Sequence, residues 1–196
     1  MLKVIERPGE PITLQQAKDH LRIFHDDEDA LIEQKLKSAR AYAENTLIWR
    51  ALAEQTLEYI LPEFKNPIKL LRPPLIEVVS INYIDPAGDE QTLSADKYEV
   101  NANTEPAEIK PVNSWPAGSN VKVRFKAGWP KEEGAGDDPD DYGANVPEDI
   151  INGLLLLTAH YYEMREPVVI GQTVNTIPAT AEALLLPHRA WGCEGL

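Results

Sequence analysis

The sequence predicts an α+β fold, a helical bundle from the N- and C-terminal segments with a small antiparallel β unit inserted between them. Apolar residues recur at helical spacing before residue 48 and after residue 147, whereas between about residues 53 and 129 the period is two and the residues are β-branched or aromatic. A Gly-, Pro- and Asp-rich stretch separates the β segments from the last helices. With 196 residues the chain is long enough to bury a core without disulfide staples. It reads as one domain, helical over 12–47 and 147–190, β over about 53–129, with an acidic loop at 131–146 and a C-terminal tail at 187–196.

The first helix follows from ITLQQAKDHLRI. Thr13 can accept from the amide of Gln16 while the Gln16 side chain reaches back, a capping box that starts a helix over about Leu14 to Arg22. In DALIEQKLKSARAYAENTL, Ile32, Leu36, Ala39 and Ala43 form one apolar face. The opposite face pairs Glu33 with Lys37 and Arg40 with Glu44, and Asp26 to Asp29 favour the positive end of the helix dipole. QTLEYIL, EVVSINYID, KYEV, AEIKP and VKVRFKAGW read as strands. Asp85 to Gly88 supplies turn chemistry for a hairpin. Pro73 and Pro74 cannot donate to a ladder; they mark a strand boundary and hold Arg72 and Pro73 extended.

Residues 131–149 hold one Lys against eight acids, a net −7. This composition buries too little apolar surface to offset ordering, so much of it is expected to be mobile. Helix resumes with Pro147 at the first helical position and ends near Arg165, before Pro167. IPATAEALLLPHRAW gives one or two further turns, starting at Pro178 or Thr180 and stopped or kinked by Pro187. No internal repeat or long heptad run is present.

The formal charge of −13, from 19 basic and 32 acidic residues, argues against a general grip on nucleic-acid phosphates. The single cysteine, Cys193, excludes an intrachain disulfide and reads as a tail residue. Lys3, Glu6 and Arg7 interrupt any apolar signal-peptide core, and no apolar run approaches the ~18 residues that cross a bilayer. A soluble protein is expected.

His160 and Glu163, at i,i+3, share a helix face as in carboxylate-bridged metal centres. Such a centre needs carboxylates from other helices, and the candidates Glu33 and Glu44 lie on a charged face. The surrounding helix is apolar nearly all round, which makes it a core helix and His160 a packed histidine with Glu163 as local partner. His20 and His25 are five apart and off one face, and the aspartates at 137–141 lack the alternation of a calcium loop. There is no G-x-S-x-G elbow, and GAGDDP lacks the Lys and third glycine of a phosphate loop. No cofactor is expected. Trp49, Trp115, Trp129 and Trp191 fall at segment ends, where such rings cover a core edge or anchor a partner.

Taken in order, ITLQQAKDHLRI, DALIEQKLKSARAYAENTL, LLRPPLIEVVSINYIDPAG with TLSADKYEV, VKVRFKAGW, VPEDIINGLLLLTAHYYEMRE and EALLLPHRAW resemble the head-tail connector (adaptor) proteins of long-tailed bacteriophages. The resemblance implies a structural virion protein at the head-tail joint, present in the host cytoplasm during assembly. It implies a ring, typically a dodecamer, that contacts the portal protein and a stopper or tail-completion protein and lets genomic DNA pass without sequence-specific binding. No membrane partner is implied. Interface candidates are Pro73, Pro74, Pro147, His160, Tyr161, Tyr162, Arg165, Glu166, Pro187, Arg189 and Trp191. The competing readings are a metal-dependent enzyme centred on His160, Glu163 and Glu166, and a cellular protein-interaction module of the same fold.

Overall fold

The computed structural model describes residues 1–131, 141–164 and 178–193. The chain divides into two compact units. One comprises Met1–Pro8, Trp49–Pro130 and Ala190–Leu196, the other Gly9–Ile48 and Lys131–Arg189. Helices and antiparallel sheets make this an α+β fold, as the two hydrophobic periods predict.

The first unit is β. Strands β1 (Leu2–Glu6), β2 (Gln55–Glu63), β4 (Leu75–Ile84), β5 (Glu90–Thr92) and β8 (Ser119–Ala127) form a sheet in the order β1-β2-β8-β4-β5, and β3 (Ile68–Leu70), β6 (Tyr98–Asn101) and β7 (Ala107–Pro111) form a second in the order β3-β7-β6. Strict alternation puts Leu57, Tyr59 and Leu61 of β2 opposite Phe125, Val123 and Val121 of β8, all on the core face. Ile68, Leu70, Ala107 and Ile109 complete one apolar cluster with them. The hairpin forms where its turn chemistry predicts: Asp85 Oδ1 accepts from the amides of Ala87 (2.9 Å) and Asp89 (3.0 Å), and Gly88 takes a φ of 94°.

Three expectations are corrected here. β1 and β3 join the sheets although their short sequences gave no strand reading; β1 needs a partner far along the chain, Leu2 facing Tyr59. Arg72, expected to be extended, is left-handed with φ 69°. Cys193 is no loose tail residue, because Ala190 and Cys193 pack into the β core.

The second unit is a helical bundle: α1 (Leu14–Leu21), α2 (Asp29–Tyr42), α3 (Glu148–Glu163) and α4 (Ala179–Leu185), with α2 and α4 against α3 and α1 against both α2 and α3. The capping box exists as read, Gln16 N–H donating to Thr13 Oγ1 at 3.0 Å and Thr13 N–H to Gln16 Oε1 at 2.9 Å. α2 buries Ile32, Leu36 and Ala39, then widens into a π-helical turn over Ala43–Leu47 in which Ile48 N–H donates to the Ala43 carbonyl. The wider turn lets the consecutive Leu47 and Ile48 both point inward. Gly153 lies where a Cβ would come within 2.7 Å of Leu185 Cγ, so its missing side chain sets the close approach of α3 and α4.

The Arg40–Glu44 pair is not on an open face as expected. Both side chains are buried, Arg40 Nη1 donating to Glu44 Oε2 at 2.9 Å and its Nε to Glu10 Oε2 at 2.5 Å. The i,i+4 spacing gave the partners correctly but not the cover that the Glu10 segment lays over them. Pro147 is the N-cap of α3 and not its first helical residue, and the helix ends at Glu163 with Met164 as cap. α4 starts after Pro178, and a 3-10 turn over Leu186–His188 follows at Pro187.

Candidate assembly surfaces

The interface candidates fall into separate groups. In the β unit, the buried Pro73 accepts from Ala51 N–H (3.2 Å) and Pro74 from Gly128 N–H (2.9 Å), so both brace the entry to β4 through their carbonyls. Trp191 is 70% exposed in the same unit. Of the other tryptophans, Trp115 stacks on Phe64 at 4.9 Å and donates to the Lys65 carbonyl, and Trp49 lies beneath the Arg72 guanidinium at 5.7 Å.

In the helical unit, Pro147 sits at the start of α3, where His188 Nε2 meets Asp149 Oδ2 at 2.6 Å and ties the Pro187 turn and Arg189 to that end. The His188 contact and the helix start hold the Asp149 carboxyl below its ordinary range. About 20 Å away along α3 are His160, Tyr161 and Tyr162, all half-buried. Burial raises the Tyr161 phenol above its usual pKa, with Tyr42 adding to the effect. Tyr162 donates its hydroxyl to Glu28, so that ring turns toward the α1–α2 corner. Arg165 and Glu166 lie outside the described residues, as does most of the acidic loop.

His160 contacts Tyr161, ring centroids 5.9 Å apart, and no hydrogen bond joins it to the exposed Glu163, correcting the expected local pair. Among the described residues, no group of three or more His, Cys, Asp or Glu side chains is placed to hold a metal ion.

Two features escaped the sequence reading. On β8, Lys122, Arg124 and Lys126 line the face opposite the core, and each meets a carboxylate: Glu90 (3.1 Å), Glu58 (2.9 Å) and Glu77 (2.8 Å). The alternation in VKVRFKA carries that signal, since period two places the three cations together. The second is the α1–α2 corner. Arg22 caps α1 in the left-handed region (φ 58°), and the 7%-exposed Lys18 side chain donates to Asp26 Oδ1 (2.6 Å) and Asp29 Oδ1 (2.7 Å). These contacts raise the Lys18 pKa and lower that of Asp26. The loop so fastened carries Phe24, 86% exposed. Its sequence signal was a lone aromatic in the polar run HDDED and its flank.

The family model described as phage gp6-like head-tail connector protein matches residues 11–72. No curated protein matches the chain. A solved chain from the virion of a native gene transfer agent particle superposes with a TM-score of 0.77 at 24% identity, covering 97% of this chain and 95% of that one. A chain from the neck of the native particle computed with C12 symmetry gives 0.74 at 22% identity, and one from the neck of the empty particle computed with C6 symmetry 0.71 at 24%, with the same coverages. The chain is thus similar in sequence to head-tail connector proteins over residues 11–72, and it shares its fold with chains of a virion neck over nearly its whole length.

Proposed function

We propose that this protein is a structural, non-enzymatic subunit of the neck of a phage-like particle. Copies form a ring, a dodecamer in this reading, between the portal vertex and the stopper or tail-completion proteins, and DNA passes through the channel. The observation that carries the proposal is the agreement of two independent likenesses: the connector-family match falls on residues 11–72, and the fold match to neck chains covers 97% of the protein. The charge balance supports a conduit over a DNA-binding role. A subunit with formal charge −13 repels phosphate, and the three β8 cations already face carboxylates. The protein then resides at the head-tail joint of the virion and in the host cytoplasm before assembly.

Removing the gene from a particle-producing strain tests this. Filled heads without tails are expected, restored by supplying the intact chain. Normal tailed particles in its absence would refute the connector role.

A further inference from the structure

We propose that the cavity between the end of β2 and the start of β3 binds a carboxylate borne beside an apolar side chain, as an acidic segment of a partner protein presents it. The cavity measures about 280 Å³ and is lined by Tyr59, Leu61, Lys65, Pro67, Ile68 and Lys69. Its lining holds two cations and no acid, in a chain of formal charge −13. Among the described residues neither ammonium group has an ion pair. Glu108, which faces Lys69 across the β3–β7 ladder, pairs instead with Lys110 at 2.9 Å.

Tyr59 is 7% exposed, and among the described residues its hydroxyl has no hydrogen-bond partner. A buried hydroxyl without an acceptor has given up water for nothing, so an acceptor placed in the cavity recovers that loss. Burial also raises the phenol pKa, which keeps its O–H a donor at neutral pH. One enclosed donor with two exposed lysines beside it suits an oxyanion, to which hydrogen bonds are stronger than to a neutral acceptor. The walls are held before any ligand arrives. Trp115 donates to the Lys65 carbonyl at 2.8 Å and stacks on Phe64, while Ile68 pairs with Ile109 in the ladder. A preformed site loses little conformational freedom on binding.

Volume and lining together select the occupant. Roughly 150 Å³ suffices for benzene, so this cavity has room for one apolar side chain and the carboxylate next to it. Leu61, Pro67, Ile68 and the Tyr59 ring supply the apolar wall. A nucleic-acid backbone presents successive phosphates and is gripped by a row of cations. Two lysines on an acidic chain do not make such a row, whereas an acidic and apolar protein segment matches both the charge and the wall. The site lies wholly in the β unit and is independent of the ring reading.

NMR titration of the full-length, isotope-labelled chain tests the site. The probes are a capped tripeptide of leucine, glutamate and leucine, and the same peptide with glutamine in place of glutamate. The glutamate peptide should shift the Lys65 and Lys69 amides saturably, with a dissociation constant on the order of 1 mM, and the glutamine peptide should bind about tenfold more weakly. Tyr59→Phe, and separately Lys65→Gln combined with Lys69→Gln, should each weaken the glutamate peptide about tenfold. Because Tyr59→Phe keeps the ring in the core, the melting midpoint of the free protein should stay level or rise. A fall would reveal an internal partner for the hydroxyl and overturn the site. Equal binding of the two peptides, no saturable shift at Lys65 and Lys69, or indifference to the variants would overturn it too. Saturation there by inorganic phosphate or a single-stranded oligonucleotide, without response to the glutamate peptide, would reassign the cavity to phosphate and refute the proposal. Each of these failures leaves the neck reading standing, which gene removal tests separately.

Discussion

In the β unit, Val121, Val123 and Phe125 are fully buried on one face of β8, and Lys122, Arg124 and Lys126 occupy the other beside their carboxylates. The helical unit mixes the two chemistries: Arg40 and Glu44 are inside with Glu10 beside them, the Lys18 ammonium is enclosed, and Phe24 stands outside. On β8 the two chemistries are kept to opposite faces of one strand. The helical unit uses buried charges, which add little net stability, to fix geometry and leaves an aromatic without an intramolecular home.

The largest effect should come from the apolar side of the comparison. Phe125→Ala should cost about 3–5 kcal/mol in chemical denaturation, because a fully buried ring is replaced by a cavity. A smaller loss would mean the β core is looser than its packing implies. Next comes Glu44→Ala, which takes one of two carboxylates from a buried guanidinium that Glu10 still holds, and should cost about 2–3 kcal/mol, while Arg40→Met combined with Glu44→Leu should recover part of that loss. If the pair behaved as a surface ion pair, the single change would stay within about 0.5 kcal/mol and the contrast between the units would fail.

The smallest effect concerns Asp149. Its folded pKa is depressed by His188, so its contribution is present above the unfolded value near 4 and is lost as pH falls through the lower folded value. Because this carboxylate is 44% exposed, Asp149→Asn should lower the melting midpoint at pH 7 by no more than about 2–4 °C. The difference from the unaltered protein should vanish in acid below that window; a gap that persists there would mean the contact acts through packing and not charge.

What could be read in advance was local. The Thr13–Gln16 box, the Asp85–Gly88 turn and the alternation of β2 and β8 all have causes within a few residues, and the structure realises each. What escaped depends on distant partners. LKVIE becomes a strand only because β2 offers an edge to it, and Cys193 is buried only because the chain returns to the β unit at Ala190. Arg40 and Glu44 show the same limit: spacing places them on one helix face, but only the fold determines that Glu10 reaches them. For the α3 candidates, the reading placed His160, Tyr161 and Tyr162 on one helix, and the structure leaves all three half-buried there. The exposure of Phe24 was not legible because a single aromatic in a polar loop has no period to betray it.

The central claim is tested most directly by cryo-electron microscopy of intact particles from the source of this chain. The account predicts density at the head-tail joint that fits this fold in a closed ring of identical copies. Particles with a complete neck that lacks this chain would contradict it.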